Sequence, residues 1–184
     1  MASLPKTTLV TYEEWLRMPE SEGREEVVNG EIITMPPAKS THAVIVGNLV
    51  WDFTAHPDRA QHHVLAGSFG VVIRKYPLSC RTPDVAIYHR EAEIIMDGYY
   101  HSAPELVIEV LSPSETRCMT ADKLPDYSAI GVPEAWVVSP EAATVEVLLL
   151  EDGVLRTSQI FSQGILKPRH FPHVQIDISR IWPD

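Results

Sequence analysis

A single glutamate interrupts an apolar stretch in the second half of the sequence. The segment PELVIEVLSPS covers residues 104–114, and residues 106–111 within it are all apolar except Glu109. Such a run is typical of a central strand that is covered on both faces. An ionised carboxylate there costs several kcal/mol unless it is paired, bound to a metal or reached by solvent. Glu109 is therefore a candidate for chemistry.

A second carboxylate stands at the start of another predicted strand, TPDVAIY, at residues 82–88. The two-residue period of a strand puts Asp84 on one face with Ala86, and Glu109 on one face with Val107. If the two strands are neighbours, the carboxylates meet at one strand edge. At a separation of ~4 Å they repel by about 4 kcal/mol at an effective dielectric constant near 20. The pair needs a proton or a cation, and a divalent cation leaves both groups ionised at neutral pH.

The order of these segments resembles that of a known protein family. TPDVAIY, PELVIEVLSPS and KLPDYSAIGVPEAWVVS, preceded by REEVVNGEI and STHAVIVGNL, are similar to the Uma-type family of restriction-endonuclease-like proteins, a branch of the PD-(D/E)xK nucleases. The likeness runs from Thr11 to Leu150, and the ordered set of segments carries it. The resemblance implies a restriction-endonuclease-like αβββαβ core and metal-dependent hydrolysis of phosphodiester bonds.

The resemblance also implies the site residues. Asp84 matches the aspartate of the PD element and Glu109 matches the acidic residue of (D/E)xK. Both are implied ligands of Mg²⁺ or Mn²⁺, together with the backbone carbonyl of Val110. Glu26, within REEVVNGE, matches an acidic residue that completes the cluster.

The sequence departs from the family motif at one position. Two residues after Glu109, where a lysine usually stands, the sequence has Leu111. Lys123 on the next predicted helix is the implied substitute, because its flexible stem can reach the same space from a neighbouring element. In the implied mechanism the ion polarises the phosphoryl oxygen and lowers the pKa of a bound water. Lys123 then orients that water or offsets charge on the phosphate.

The candidates also have plain structural interpretations, which the sequence leaves open. Asp84 can cap the strand that it begins, and Glu109 can be satisfied by an arginine such as Arg74 or Arg81. Lys123 taken alone is typical of a solvated helix residue.

The same holds for the outer candidates. Glu26 can belong to an exposed acidic surface. His42 resembles a family position but can equally be a packing residue at the start of a helix. His62 and His63 have no further ligands at zinc-like spacing, which predicts a strand surface.

Length and composition favour a single domain over residues 1–184, because 45% of the 184 residues are hydrophobic and can form a core. No apolar run approaches the ~18 residues of a membrane span. The N-terminus lacks a signal-peptide pattern. Cys80 and Cys118 lie far apart without a CxxC motif, which favours reduced thiols. We therefore expect a soluble, cytoplasmic protein.

The formal charge of −10 bears on the partner. It counts against broad, non-specific adhesion to nucleic acid, because Lys and Arg supply most of that binding. It does not exclude a nuclease. A carboxylate cluster that recruits Mg²⁺ makes a chain more acidic while turning one cleft into a phosphate site.

Local signals predict a mixed α/β fold built around one curved sheet, with flanking helices and extra β-hairpins. Thr11 and Glu14 form a capping box that opens a short helix to about Met18. Asn29-Gly30 and Asp152-Gly153 are hairpin turns. Two strands, HHVLAG and FGVVIR, surround Gly67-Ser68, and a last strand lies near HVQIDI.

Two longer helices are predicted. Ser40 or Thr41 caps the first, which ends before Pro57. Its inward positions at helical spacing are Ala43, Val46, Val50 and Phe53. The second helix spans residues 114–131, with its ordered part beginning near Thr120 so that Pro125 falls in the first turn. Trp51, Phe53 and Trp136 are expected in the core.

Three functions are compatible with these features. The leading hypothesis is an Mg²⁺-dependent endonuclease acting on DNA, with a homodimer expected by analogy because cutting both strands is simplest with two sites. The second is a catalytically inactive nuclease fold that binds DNA or another protein. The third is a metal-dependent phosphoesterase with a small substrate. A groove flanked by Arg74, Lys75, Arg81 and Arg117 favours DNA, whereas a narrow pit favours the small phosphoester.

Overall fold

The computed structural model describes residues 9–19, 21, 23–55, 61–112 and 122–183. Its α-helices are α1 (Tyr12–Trp15), α2 (Ser40–Thr54) and α3 (Leu124–Ala129). Its strands are β1 (Glu25–Val28), β2 (Glu31–Thr34), β3 (His62–Ala66), β4 (Val71–Lys75), β5 (Leu78–Arg81), β6 (Val85–His89), β7 (Ile95–Met96), β8 (Tyr99–Tyr100), β9 (Leu106–Val110), β10 (Glu134–Ser139), β11 (Thr144–Glu151), β12 (Val154–Phe161), β13 (Ile165–Leu166) and β14 (Ile176–Asp177). No helix of the described segments is long and apolar enough to cross a membrane.

The strands form two mixed sheets of six strands each. The first sheet has the order β2-β1-β5-β4-β8-β7, and the second has the order β12-β11-β10-β9-β6-β3. Strands β13 and β14 pair separately. The predicted mixed α/β class is confirmed, but the single curved sheet is wrong. Gly67, with φ of 105°, stands between β3 of the second sheet and β4 of the first, so the turn after β3 redirects the chain to another sheet instead of closing a hairpin.

The structure near the N-terminus largely agrees with the local sequence signals. Thr11 and Glu14 form the capping box, although the helix ends at Trp15 and not near Met18. Asn29 and Gly30 have φ of 52° and 86° and join β1 to β2 as a hairpin. The sequence patterns missed β5, which follows Pro77 directly.

The second sheet carries the two carboxylates of interest on neighbouring strands. Strand β9 is buried along its whole length between β6 and β10. Strands β6 and β9 are antiparallel, with Val85 opposite Ile108. One step beyond that pair, Asp84 stands opposite Glu109. The prediction that these strands are neighbours is confirmed.

Helix α2 packs on the second sheet through a face that differs from the predicted one. Its buried residues are His42, Ile45, Leu49 and Phe53, whereas Ala43 is exposed, and Val46 and Val50 lie at the edge of the core. Trp51 is 67% exposed, so its predicted core position is wrong. Two residues along a helix turn through about 200°, which puts Trp51 opposite Phe53. The core positions of Phe53 and Trp136 are confirmed.

Two further expectations need correction. Lys39 and not Ser40 or Thr41 is the N-cap of α2, and no side chain caps it. His62 is buried beside Phe171, because neighbouring strand residues face opposite sides and the C-terminal segment covers one of them. His63 is half-buried and pairs with Glu93.

The later elements follow the predictions more closely. Pro125 lies in the first turn of α3, and Gly131 follows that helix with φ of 85°. Residues 113–121, the first part of the predicted second helix with Arg117 and Cys118, lie outside the described residues. Asp152 and Gly153 join β11 to β12. The last strand, predicted near HVQIDI, is shorter than expected and consists of the two residues of β14.

Phe53→Ala should lower the free energy of unfolding by about 3–5 kcal/mol, since a fully buried ring that contacts Trp136 and Phe171 is replaced by a cavity. Trp51→Ala, on the opposite face of the same helix, should change it by no more than about 0.5 kcal/mol. Urea denaturation of both variants measures the difference. Equal losses would contradict the packing of α2 described above.

Candidate active site

Four elements deliver the predicted site residues to one buried cluster. Asp84 precedes β6, Glu109 belongs to β9, Glu26 belongs to β1, and Lys123 is the N-cap of α3. All four side chains are almost fully buried, with 3–5% of their surface exposed. Strands from both sheets and the start of α3 therefore bring together four charged residues that are spread over about half of the sequence.

Asp84 is held by three donors. The Arg24 guanidinium donates to Oδ1 at 2.5 Å, the backbone N–H of Val110 donates to Oδ2 at 2.7 Å, and His42 Nε2 lies 3.1 Å from Oδ2. Burial raises the pKa of Asp84, but the His42 hydrogen bond, the Arg24 charge and the Val110 N–H together lower it to about 2. Asp84 is consequently ionised at any physiological pH.

Glu109 has a different environment on the neighbouring strand. Lys123 Nζ lies 3.0 Å from Oε2, and the Tyr127 hydroxyl donates to Oε1 at 2.5 Å. Burial raises the pKa of Glu109 to about 7, and the charge of Asp84 adds to that rise while Lys123 opposes it. The two carboxylates thus have pKa values that their surroundings drive in opposite directions.

Lys123 links Glu109 to Glu26. Its ammonium lies 3.0 Å from Glu109 Oε2 and 3.0 Å from Glu26 Oε1. Burial would lower the pKa of Lys123, but the charges of Glu109 and Glu26 outweigh burial and raise it. Burial would likewise raise the pKa of Glu26, whereas the ion pairs with Lys123 and Arg81 lower it. Lys123 therefore remains an ammonium ion in a buried position.

The cluster decides between the alternatives that the sequence left open. Glu109 is paired with Lys123 and not with Arg74 or Arg81. Lys123 is buried and not solvated, and Glu26 belongs to no exposed acidic surface. The lysine that is absent at Leu111 thus has a counterpart at the same carboxylate.

Five residues in the cluster were not among the predicted site residues: Arg24, His42, Arg81, Asp126 and Tyr127. Tyr127 stands four residues after Lys123, a spacing that puts both side chains on one helix face. That spacing was the signal for Tyr127. Arg24 and Arg81 had no comparable signal, since their partners lie about 60 and 55 positions away in the sequence.

A cavity of about 130 Å³ adjoins the cluster. It lies beside the first hairpin and the start of α3. Its described lining residues are Glu26, Val28, Ile33, Met35, Arg81, Asp122 and Lys123. The cavity reaches Lys123 and Glu26, but neither Asp84 nor Glu109 lines it.

The donor set suits a hard divalent cation chemically. The carboxylates of Asp84 and Glu109 offer oxygen atoms from facing positions on paired strands, and Mg²⁺ and Mn²⁺ prefer oxygen ligands. Among the described residues no three His, Cys, Asp or Glu side chains are grouped as a metal site. Arg24 and Lys123 supply the positive charge next to the carboxylates. An ion would compete with Arg24 for Asp84.

The raised pKa of Glu109 predicts a pH-dependent effect of Glu109→Gln. A carboxyl whose pKa is 4.5 when unfolded and about 7 when folded stabilises the fold below pH 4.5, and this contribution is lost as the pH rises through 7. Relative to wild type, metal-free Glu109→Gln should therefore gain about 1–3 kcal/mol of stability between pH 5 and pH 8. Thermal melts at both pH values measure this gain.

Glu91→Gln, at an exposed position, is the control and should leave the pH dependence unchanged. If Glu109→Gln instead costs about 3–5 kcal/mol at pH 8, the ionised Glu109–Lys123 pair is a net structural bridge.

Comparisons with known proteins identify the family and the fold. Residues 12–179 match the family model described as "Uma2: Putative restriction endonuclease". No curated protein matches the sequence. The fold is similar to a crystal structure described as that of a "putative nuclease belonging to DUF820" from Anabaena variabilis, with a TM-score of 0.77 and 19% identity over 94% of this chain and 97% of that chain. Because the family model spans nearly the whole sequence and all four clustered residues, this chain belongs to the Uma2 family.

Proposed function

We propose that this protein is a metal-dependent endonuclease that hydrolyses DNA phosphodiester bonds. Membership of a family described as "Putative restriction endonuclease" supports a nuclease, and so does a structural neighbour described as a "putative nuclease". The observation that carries the proposal is the convergence of Asp84, Glu109 and Lys123. Two carboxylates face each other on paired strands, and an ammonium group lies 3.0 Å from one of them.

In this proposal Asp84, Glu109 and the backbone carbonyl of Val110 would hold Mg²⁺ or Mn²⁺. When bound, the ion would polarise the phosphoryl oxygen and lower the pKa of a water molecule. The opposite pKa shifts of the two carboxyls suit these roles. Asp84 is ionised throughout, whereas Glu109 must lose its proton before it can serve as a ligand.

The remaining residues act on this pair from the protein side. Lys123 is the catalytic cation, since its charge can orient a water molecule or offset negative charge on the phosphate. Glu26 also holds that ammonium, with Oε1 3.0 Å from Nζ. The Tyr127 hydroxyl donates a hydrogen bond to Glu109 and orients that carboxylate. His42 orients Asp84 through Oδ2, whereas Arg24, which pairs with Oδ1, would give way to the ion.

DNA as the substrate rests on the family and not on a basic groove. Arg81 is buried, and Arg74 points to Asp126, with Nη1 3.2 Å from Oδ1. Lys75 Nζ lies over the ring of Tyr12 at 4.2 Å from its centroid. These three side chains are thus engaged within the protein. A homodimer would supply the two sites that cleavage of both strands requires.

One observation favours a second candidate, a catalytically inactive nuclease fold that binds DNA or another protein. Both carboxylates already have cationic partners within the chain, and neither lines the cavity. Such a protein would keep the charge cluster for its fold alone. Metal titration and cleavage assays separate the two candidates.

Asp84→Asn should weaken Mn²⁺ binding at least tenfold, because it removes the carboxylate that is ionised at every relevant pH. Isothermal titration calorimetry at pH 8, where Glu109 is also ionised, is the measurement. Asp52→Asn is the control and should bind Mn²⁺ as wild type does, because Asp52 lies near the C-terminal end of α2, ~15 Å along the helix from His42. Wild-type protein that takes up no Mn²⁺ would contradict the proposed cofactor.

Lys123→Met should reduce DNA cleavage by at least ~10²-fold, the scale of losing one electrostatic stabiliser of a transition state. The substitution keeps the length of the side chain and should not weaken Mn²⁺ binding, because the ammonium is no ligand. Lys123→Arg should restore only part of the rate, since a planar guanidinium cannot place a compact charge at the same point.

Circular dichroism spectra must first show that each Lys123 variant is folded, because Lys123→Met leaves Glu109 with Tyr127 as its remaining partner. Wild-type protein that binds Mn²⁺ but cuts neither single-stranded nor double-stranded DNA would support the inactive module. A Lys123→Met variant that cleaves as fast as wild type would remove Lys123 from the mechanism while leaving the nuclease in place.

A further inference from the structure

We propose that Arg81 is a positioning residue that fixes Lys123 by clamping the start of α3 to the first sheet. The inference rests on the proposed function, since it assigns a further role within the same site. Arg81 ends β5 and is 6% exposed. It touches neither Asp84 nor Glu109 among its described polar partners, so any effect on the chemistry has to pass through the residues that it holds.

The Arg81 guanidinium has three partners, and all of them belong to the surroundings of Lys123. Its Nε donates to Asp126 Oδ2 at 2.7 Å, its Nη1 to Glu26 Oε2 at 3.0 Å, and its Nη2 to the carbonyl of Asp122 at 3.3 Å. Asp122 directly precedes Lys123, and Asp126 follows it by three residues. The guanidinium therefore grips the chain on both sides of the lysine.

Helix α3 needs such a clamp because it is short. It has six residues, and its N-cap, which is Lys123 itself, makes no side-chain capping bond. Isolated helices of this length are unstable in water, so α3 is ordered by its contacts with other elements. Near its C-terminal end Ser128 accepts a hydrogen bond from the N–H of Leu155 in β12. At the N-terminal end, Arg81 makes the corresponding attachment.

Arg81 also acts on Lys123 through Glu26. One carboxylate oxygen of Glu26 pairs with Arg81 and the other lies 3.0 Å from Lys123 Nζ. Arg81 thus orients the carboxylate that in turn orients the ammonium. Because Lys123 stands at the start of a separate helix, the distance between its ammonium and Glu109 depends on how α3 packs against the sheets. A lysine on β9 would be held by the same strand as Glu109. A misplacement of ~1 Å at a reacting group can cost ~10²-fold in rate.

The test compares Arg81→Met and Arg81→Lys with wild type, using steady-state DNA cleavage and amide hydrogen exchange. Arg81→Met should lower kcat by about 10–100-fold and leave KM within about threefold. The Tyr127 amide, which donates to the Lys123 carbonyl at 3.0 Å, should exchange at least tenfold faster, while amides of β9 keep their wild-type rates. Arg81→Lys should fall between the two, because an ammonium cannot reach three partners in a planar fork.

Two controls separate positioning from general destabilisation. Arg74→Met removes another arginine that contacts Asp126 but not Asp122 or Glu26, and it should leave Tyr127 exchange unchanged. Glu134→Gln removes a buried carboxylate of β10 that accepts hydrogen bonds from Trp136 Nε1 and the Arg169 N–H and that does not contact Arg81. It should destabilise the fold without changing kcat at temperatures where the protein is folded.

The outcomes are distinct. Wild-type kcat and wild-type Tyr127 exchange in folded Arg81→Met overturn the inference, as does a kcat loss of the same size in Glu134→Gln. If Arg81→Met does not fold, Arg81→Lys, which keeps the charge but not the planar fork, is judged by the same two measurements. If wild-type protein cleaves no DNA, the proposed function fails, and the exchange rates still decide whether Arg81 holds α3.

Discussion

The burial of Glu109 in the middle of the second sheet is the constraint on which the rest of the site depends. A carboxylate on a strand that is covered on both faces must have a positive partner or keep its proton. Here Lys123, the N-cap of α3, supplies the positive charge, and Tyr127 of the same helix donates a hydrogen bond. The position of α3 consequently decides whether the buried carboxylate on β9 is compensated. Helix α3 therefore has to lie within reach of Glu109.

The compensation does not stop at Lys123. The charges continue from Glu109 through Lys123 to Glu26 and then through Arg81 to Asp126, with adjacent members of opposite sign. Buried ion pairs of this kind contribute little net stability, because the loss of hydration offsets their attraction. Each pair joins two different elements, so the series connects β1, β5, β9 and α3. The series of charges therefore links the two sheets at the point where the site lies.

Asp84 and Glu109 show how one site can hold two carboxyls with different proton affinities. Both side chains are buried on adjacent strands, yet Asp84 receives three donors, including a backbone N–H, and its pKa falls to about 2. Glu109 receives an ammonium and a hydroxyl, but burial dominates and its pKa rises to about 7. An ion that binds both must displace Arg24 from Asp84 and a proton from Glu109. The affinity for such an ion would therefore depend on pH.

The sequence by itself determined the local elements and the facing carboxylates. The Asn29-Gly30 hairpin follows from turn chemistry, and the two-residue period of strands put Asp84 and Glu109 in register once β6 and β9 were neighbours. Only the tertiary structure decided the division into two sheets, the exposed position of Trp51 and the clamp formed by Arg81. Turn residues and periodicity act over a few positions. Burial and ion pairing join residues that lie tens of positions apart, so no local pattern records which face is covered or which charge is the partner.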